Sequence, residues 1–199
     1  MANKLDGRRA RGMRTRAAII DSLLELVGEG DLSPTAQRIA DRAGVSVRSV
    51  YQHFNDVEGL FTEAADRARK NAEELREPID PGLPLDERVD RFVAVRSAIL
   101  EELRAFIRAA RLVEPSSDEL RKYRVKLEKD ARDELGRVFG RELSKADGAT
   151  RRQLIGALDL LSTWSAWEHL RDNNTSVRAG RQIMRNGIAA LLHGIPAVV

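Results

Sequence analysis

Thr35-Ala36-Gln37-Arg38-Ile39-Ala40-Asp41-Arg42-Ala43-Gly44-Val45-Ser46-Val47-Arg48-Ser49-Val50-Tyr51-Gln52-His53-Phe54 reads as two short helices joined by a tight turn. Ala40 is small where two helix backbones approach closely, and Gly44 stands where the turn asks for a residue that accepts positive φ. Ser46 suits the N-cap of the second helix, because its hydroxyl oxygen accepts from a free backbone N–H two or three residues on. A helix beginning there buries Val50 and Phe54, four apart on one face, and turns Arg48, Ser49, Gln52 and His53 outward. Such a pair of helices is the arrangement that lays a polar helix face in the major groove of DNA. The same spacing also fits an ordinary helical hairpin in a larger bundle.

Upstream, Thr15 to Glu29 carries Ile19, Ile20, Leu23, Leu24 and Val27 at helical spacing, which predicts a supporting first helix. Downstream of Tyr51-Gln52-His53-Phe54 comes Asn55-Asp56-Val57-Glu58-Gly59-Leu60-Phe61. In these features residues 15 to 61 resemble the N-terminal domain of the TetR family of bacterial transcriptional repressors, and the resemblance covers roughly a quarter of the chain. It implies an all-α fold: an N-terminal three-helix helix-turn-helix domain followed by a larger helical domain for effector binding and dimerisation. Two residues depart from the family. Arg48 stands where a small residue, often Gly, is usual, and Val57 where a Lys commonly reaches the DNA backbone. Arg48 can pair bidentately with O6 and N7 of guanine or grip a phosphate, and the sequence leaves both open.

The contacts expected on this reading are Arg48, Ser49 and Gln52 to bases, with Thr35, Ser46, Tyr51 and His53 completing the DNA-binding set. A basic N-terminal arm offsets the loss at Val57. Lys4, Arg8, Arg9, Arg11, Arg14 and Arg16 face only Asp6 in the first sixteen residues, and Arg8, Arg9, Arg11 and Arg14 are its expected phosphate contacts. The formal net charge of +3 is modest, but residues 1 to 54 hold nine Lys and Arg against six Asp and Glu. The remaining 25 cations and 25 carboxylates cancel, so the whole excess lies at the DNA-reading end, where release of counterions from phosphates needs it.

At 199 residues and 42% hydrophobic, the chain can bury a substantial core. No run of about eighteen apolar residues suggests a membrane span. The charged opening lacks the apolar stretch of a secretory signal, and the absence of Cys excludes disulfides and thiolate chemistry. A cytoplasmic, nucleoid-associated protein without cofactor or metal is expected. Asp56 to Arg76 reads as the fourth helix, closed by the proline-rich Glu77 to Pro84, and Leu85 to Val113 as one kinked helix or two. Ser116 or Ser117 caps a helix through Val138, and Thr150 to Asp172 and Ser176 to Leu192 read as a terminal hairpin. The expected domains are a flexible basic arm over 1–14, the helix-turn-helix domain over 15–61 and the effector-binding and dimerisation domain over 62–199.

On the terminal hairpin, Leu154, Leu158, Leu161 and Ser165 recur along one helix and Ile183, Gly187, Ile188 and Leu191 along the other. The resemblance implies that these pair with a second copy in a four-helix bundle, since a two-fold dimer reads two half-sites. Phe92, Arg96, Ile99, Leu103, Phe106 and Tyr123, with Trp164 and Trp167, are candidates to line a pocket for a small hydrophobic or amphipathic effector. The function implied is a repressor released from a pseudo-palindromic operator by that effector; a DNA-binding dimer without effector is the alternative. A helical enzyme has thin support. His53, His169 and His193 share no metal spacing, and neither a glycine-rich phosphate loop nor a Gly-x-Ser-x-Gly elbow occurs.

Overall fold

Pro34 is the first proline of the chain, and the first helix, α1 (Ala2–Gly28), fills most of the sequence before it. The computed structural model describes residues 2–194, without the side chains of residues 2–6 and 8, so the side chains of Lys4 and Arg8 lie outside the described residues. The helix starts at Ala2 rather than Thr15, so the basic segment is wound into α1. Its Ala, Arg, Leu, Lys and Met residues favour helix, and Gly7 and Gly12 cost only about 1 kcal/mol each.

Next come α2 (Ala36–Ala43) and α3 (Val47–His53). Gly44 ends α2 in the left-handed region at φ 65°, as the sequence predicted, and its N–H reaches back to the last turn. The hydroxyls of Thr35 and Ser46 accept from the backbone N–H groups of Arg38 and Ser49, each fixing a helix start. Then α4 (Val57–Glu73) begins after Asp56, whose carboxylate accepts from the Gly59 N–H at 2.7 Å. It is shorter at both ends than Asp56 to Arg76, and at the start Asp56 stands outside the helix as its cap.

Leu85 to Val113 is one helix, α5, followed by a 3₁₀ turn at Glu114–Ser116. Ser117 accepts from the Leu120 N–H at 3.2 Å to start α6 (Asp118–Val138), and the short α7 (Gly140–Leu143) follows. Asp147 caps α8 (Gly148–Ser162). The predicted helix over Thr150 to Asp172 is broken: α8 ends at Ser162, and α9 (Trp164–Asp172) starts anew from Thr163, which is extended at ψ 156°. Both hydroxyls at the break draw on the backbone. Ser162 Oγ donates to the Leu158 carbonyl and Thr163 Oγ1 to that of Leu160, while Thr163 also caps α9 through Ala166 N–H. The last helix is α10 (Val177–His193), capped by Ser176. No strand occurs among the described residues, and the fold is all-α.

The chain divides into two compact units, one of residues 1–72 and 105–123, the other of residues 73–104 and 124–199. In the first, Ile19, Leu23 and Val27 of α1, Ile39 and Ala40 of α2, Val50 of α3 and Leu60, Phe61 and Ala64 of α4 form the core, with Phe106 beside Phe61. The second unit is built on Val89, Phe92, Leu100, Leu135, Phe139, Leu158, Trp167, Met184 and Ile188. Within that apolar interior lies Arg88, 1% exposed, bound to both oxygens of Glu142 at 2.6 and 2.8 Å and to the Val138 and Leu83 carbonyls. The sequence reading missed this pair, since its members stand 54 residues apart.

Candidate nucleic-acid interface

The recognition helix is held by contacts that leave its outer face bare. Val50 and Phe54 are buried as predicted, while Arg48, Tyr51 and Gln52 are exposed and Ser49 and His53 are half-buried. Thr35 and Ser46 are exposed at the starts of α2 and α3. Each uses an oxygen lone pair for a cap, which leaves the hydroxyl hydrogen to donate to a phosphate. Tyr51 leaves half its surface to solvent, 52%, unusual for so large a ring. The structure therefore brings Thr35, Ser46, Arg48, Ser49, Tyr51, Gln52 and His53 together on one small helix pair. Arg9, Arg11 and Arg14 are exposed along α1, and the ring of His53 lies close to Gly12 of that helix.

Two arginines that add to the basic excess are used internally. Arg42 at the end of α2 holds Glu29 of α1 through two bonds, at 2.7 and 2.9 Å, and Glu25 at 3.3 Å. The hydrogen bonds from Arg42 keep the Glu29 carboxyl below its ordinary value. Arg16 of α1, counted with the arm in the sequence, gives Nε and Nη2 to the carboxylate of Glu63 on α4 and Nη1 to the His53 carbonyl. Its guanidinium also stacks over Phe54, 4.5 Å from the ring centre. One side chain thus ties α1, the end of α3 and α4. Sequence reasoning had no signal for it, because Arg16 and Glu63 are 47 residues apart and neither belongs to a local pattern.

The other candidates separate. Phe106 and Tyr123 fall in the first unit, where Phe106 faces Phe61 and Tyr123 donates its hydroxyl to the Ala65 carbonyl at 3.0 Å. Burial pushes the Tyr123 phenol up to about 12, with Asp66 adding to the shift. Phe92, Arg96, Ile99, Leu103, Trp164 and Trp167 fall in the second. Phe92 and Trp167 are core residues there, and the Trp167 Nε1 donates to Glu101 at 2.6 Å. Ile99 is buried, whereas Arg96, Leu103 and Trp164 are half-buried.

Of the residues expected to meet a second copy, Leu158 and Ile188 are 0% exposed within the subunit and have no surface to offer. Leu154, Leu161 and Leu191 pack beside the same core, and a Cβ at Gly187 would meet Leu161 at 2.9 Å, so these small and large residues join α8 to α10 internally. Ser165 and Ile183 are exposed, and with them Gly156, Leu160 and Ala190.

Among the described residues no group of three or more His, Asp or Glu is placed to hold a metal ion, and no helix is long and apolar enough to cross a membrane. Residues 19–64 match the family model of bacterial regulatory proteins, tetR family. No curated protein matches the sequence. A solved transcriptional regulator from Rhodococcus sp. Rha1 is 20% identical and superposes with a TM-score of 0.64 over 94% of this chain and 99% of that one. The multidrug binding protein EbrR, solved with imidazole, is 17% identical with a TM-score of 0.62, covering 92% of this chain and 91% of its own. A putative TetR-family regulator from Mesorhizobium loti, 20% identical, gives 0.55 over 92% and 97%. At such identities the likeness is one of fold, and it runs the length of the chain. Residues 19–64 are thus a helix-turn-helix domain of the tetR family of bacterial regulatory proteins, and the chain as a whole shares the fold of these solved proteins.

Proposed function

We propose that the protein is a repressor that binds a pseudo-palindromic operator as a homodimer and leaves it when a small effector occupies the helical domain. The observation that carries the reading is the exposed polar face of α3, Arg48, Tyr51 and Gln52, on a helix fixed by the Ser46 cap and by Arg16. Arg48, Ser49 and Gln52 face bases in this reading; Thr35, Ser46, Tyr51, His53, Arg9, Arg11 and Arg14 face phosphates.

A monomer with one short reading helix makes few base contacts, and a two-fold pair doubles them at a spacing of about 34 Å for successive turns of B-DNA. Support for the pair comes from exposed apolar side chains on the terminal hairpin. Leu160 on α8 is 67% exposed and Ile183 on α10 is 47% exposed. Gly156 and Ala190 lie four and seven residues from them on the same helices. The effector acts by binding the operator-competent and released forms unequally; equal affinity shifts nothing.

Selection from a random duplex library at near-physiological salt tests the reading. An enriched pseudo-palindrome establishes the dimeric reader and gives its half-site spacing. A folded protein that enriches no sequence rules the operator out.

A further inference from the structure

Arg96 of α5 is a desolvated cation with most of its donors unspent. Its Nε donates to the Ser162 carbonyl at 2.8 Å, at the last residue of α8, and this is its one hydrogen bond among the described residues. Three charged groups act on it: Glu134, Arg76 and Asp159. Both carboxylates are engaged elsewhere, Glu134 by Arg76 at 2.8 Å and Asp159 by Arg132 at 2.6 Å. Arg76 is shared in turn with the exposed Glu73 at 3.0 Å. Burial lowers the guanidinium from its ordinary value, and the two carboxylates fail to offset it against Arg76.

A structural duty accounts for only one of its donors. Holding the C-terminal end of α8 is a useful contact for a cation, but a helix terminus returns less than a guanidinium loses on leaving water. Arginine also offers a planar fork that a single carbonyl does not use. Two other forks in this unit are filled by carboxylates: Arg88 holds both oxygens of Glu142, and Arg104 those of Glu168. At Arg96 no matching pair of oxygens is present among the described residues. The residue is half-buried rather than sealed. Half-buried Trp164 stands two residues beyond Ser162, and half-buried Leu103 two turns further along α5.

We propose that Arg96 is the anchor of the effector site and that the effector is an organic carboxylate, whose two oxygens take the terminal nitrogens of Arg96 as a bidentate pair. This rests on the effector reading above and narrows it from amphipathic molecules in general to anions.

The test compares acids with neutral molecules of the same shape: decanoate with decanamide and decanol, and benzoate with benzamide. Binding is read from the fluorescence of Trp164 and Trp167 and from the shift in thermal midpoint. The acids are expected to bind the full-length protein at least about ten-fold more tightly than their neutral partners, or about 1.4 kcal/mol. In Arg96→Met that ratio falls to near one, while Arg96→Lys, which keeps the charge without the fork, retains part of it. Arg96→Lys also serves if loss of the α8 contact keeps Arg96→Met from folding, which circular dichroism checks. Equal binding of acids and neutral partners, or a ratio unchanged in the Arg96 variants, overturns the carboxylate and leaves the effector reading standing. Failure of every compound, acid and neutral alike, counts against the effector site itself and takes the proposal with it.

Discussion

The ring of Trp167 lies directly on Gly180: a Cβ at position 180 would come within 3.0 Å of Cζ3 and 3.1 Å of Cη2. The indole is also fixed by its Nε1 bond to Glu101, so it cannot slide away from an added methyl group. Gly180→Ala is therefore expected to destabilise the protein by about 1–3 kcal/mol, the usual cost of overpacking a filled core. Chemical denaturation gives the value, and a variant as stable as the parent would show that the ring can yield.

Arg88 and Glu142 form a second fixed pair in the same unit. Removing one partner strands a charge in an apolar interior, and Arg88→Met or Glu142→Gln is expected to cost about 3–5 kcal/mol near neutral pH. Burial raises the Glu142 carboxyl, but the Arg88 guanidinium outweighs it and leaves the group below its ordinary value. A carboxyl lowered on folding stabilises fully above its unfolded value, about 4.3, and that share vanishes as the pH falls through the folded value. The gap between parent and Glu142→Gln should accordingly narrow below about pH 4. A gap independent of pH would mean that the lost interaction is not ionic.

Arg16 and Arg14 carry the same charge two residues apart and make opposite predictions. Arg16 positions α3, so Arg16→Ala and Glu63→Gln should each weaken binding to all duplexes while leaving the salt dependence as it was. Arg14→Ala should lower the slope of log affinity against log salt by about 0.9 if Arg14 meets one phosphate. Titrations at several salt concentrations separate the two. A reduced slope for Arg16→Ala would return it to the group of phosphate contacts.

On the outer face of α3, Arg48→Ala is expected to relax preference at one position per half-site at a cost of about 1–3 kcal/mol if its pair is bidentate. Tyr51→Phe should weaken every sequence alike. Affinity across a set of single-base operator variants tells the two behaviours apart, and a uniform loss for Arg48→Ala would mark a phosphate grip.

Leu158 and Leu160 test the assignment of faces on α8. Leu158→Ala, within the subunit core, should cost about 2–5 kcal/mol of stability. Leu160→Glu and Ile183→Glu lie on open surface and should leave the fold intact while converting the dimer to monomer. Sedimentation against concentration reads the outcome; an unchanged mass for both glutamate variants would remove this face as the interface.

The helix-turn-helix was legible because each of its signals is local. Gly44, Ser46, Val50 and Phe54 act through φ angles, a cap three residues long and a four-residue repeat, and each sits in the structure as read. Leu158 and Leu160 show the opposite limit. Periodicity finds a stripe on a helix but not which partner covers it, so the covered face of α8 was taken for the open one. The break at Thr163 was hidden because Ser162 and Thr163 are tolerated inside helices, and the Arg96 side chain that takes the Ser162 carbonyl comes from 66 residues away. Arg16 with Glu63, and Arg88 with Glu142, are pairs made by tertiary folding alone.

The use of Arg16, Arg38 and Arg42 in ion pairs leaves few cations near the reading helix itself. Arg48 is exposed on α3, and Arg9, Arg11 and Arg14 are exposed within about one and a half turns of the extended α1. Long-range attraction to a duplex then originates mainly on one helix and base discrimination on another. Diffusional capture and sliding would be set by α1, and dwell time at the operator by α3. Changes along α1 would alter how often the protein meets DNA without altering which site it keeps.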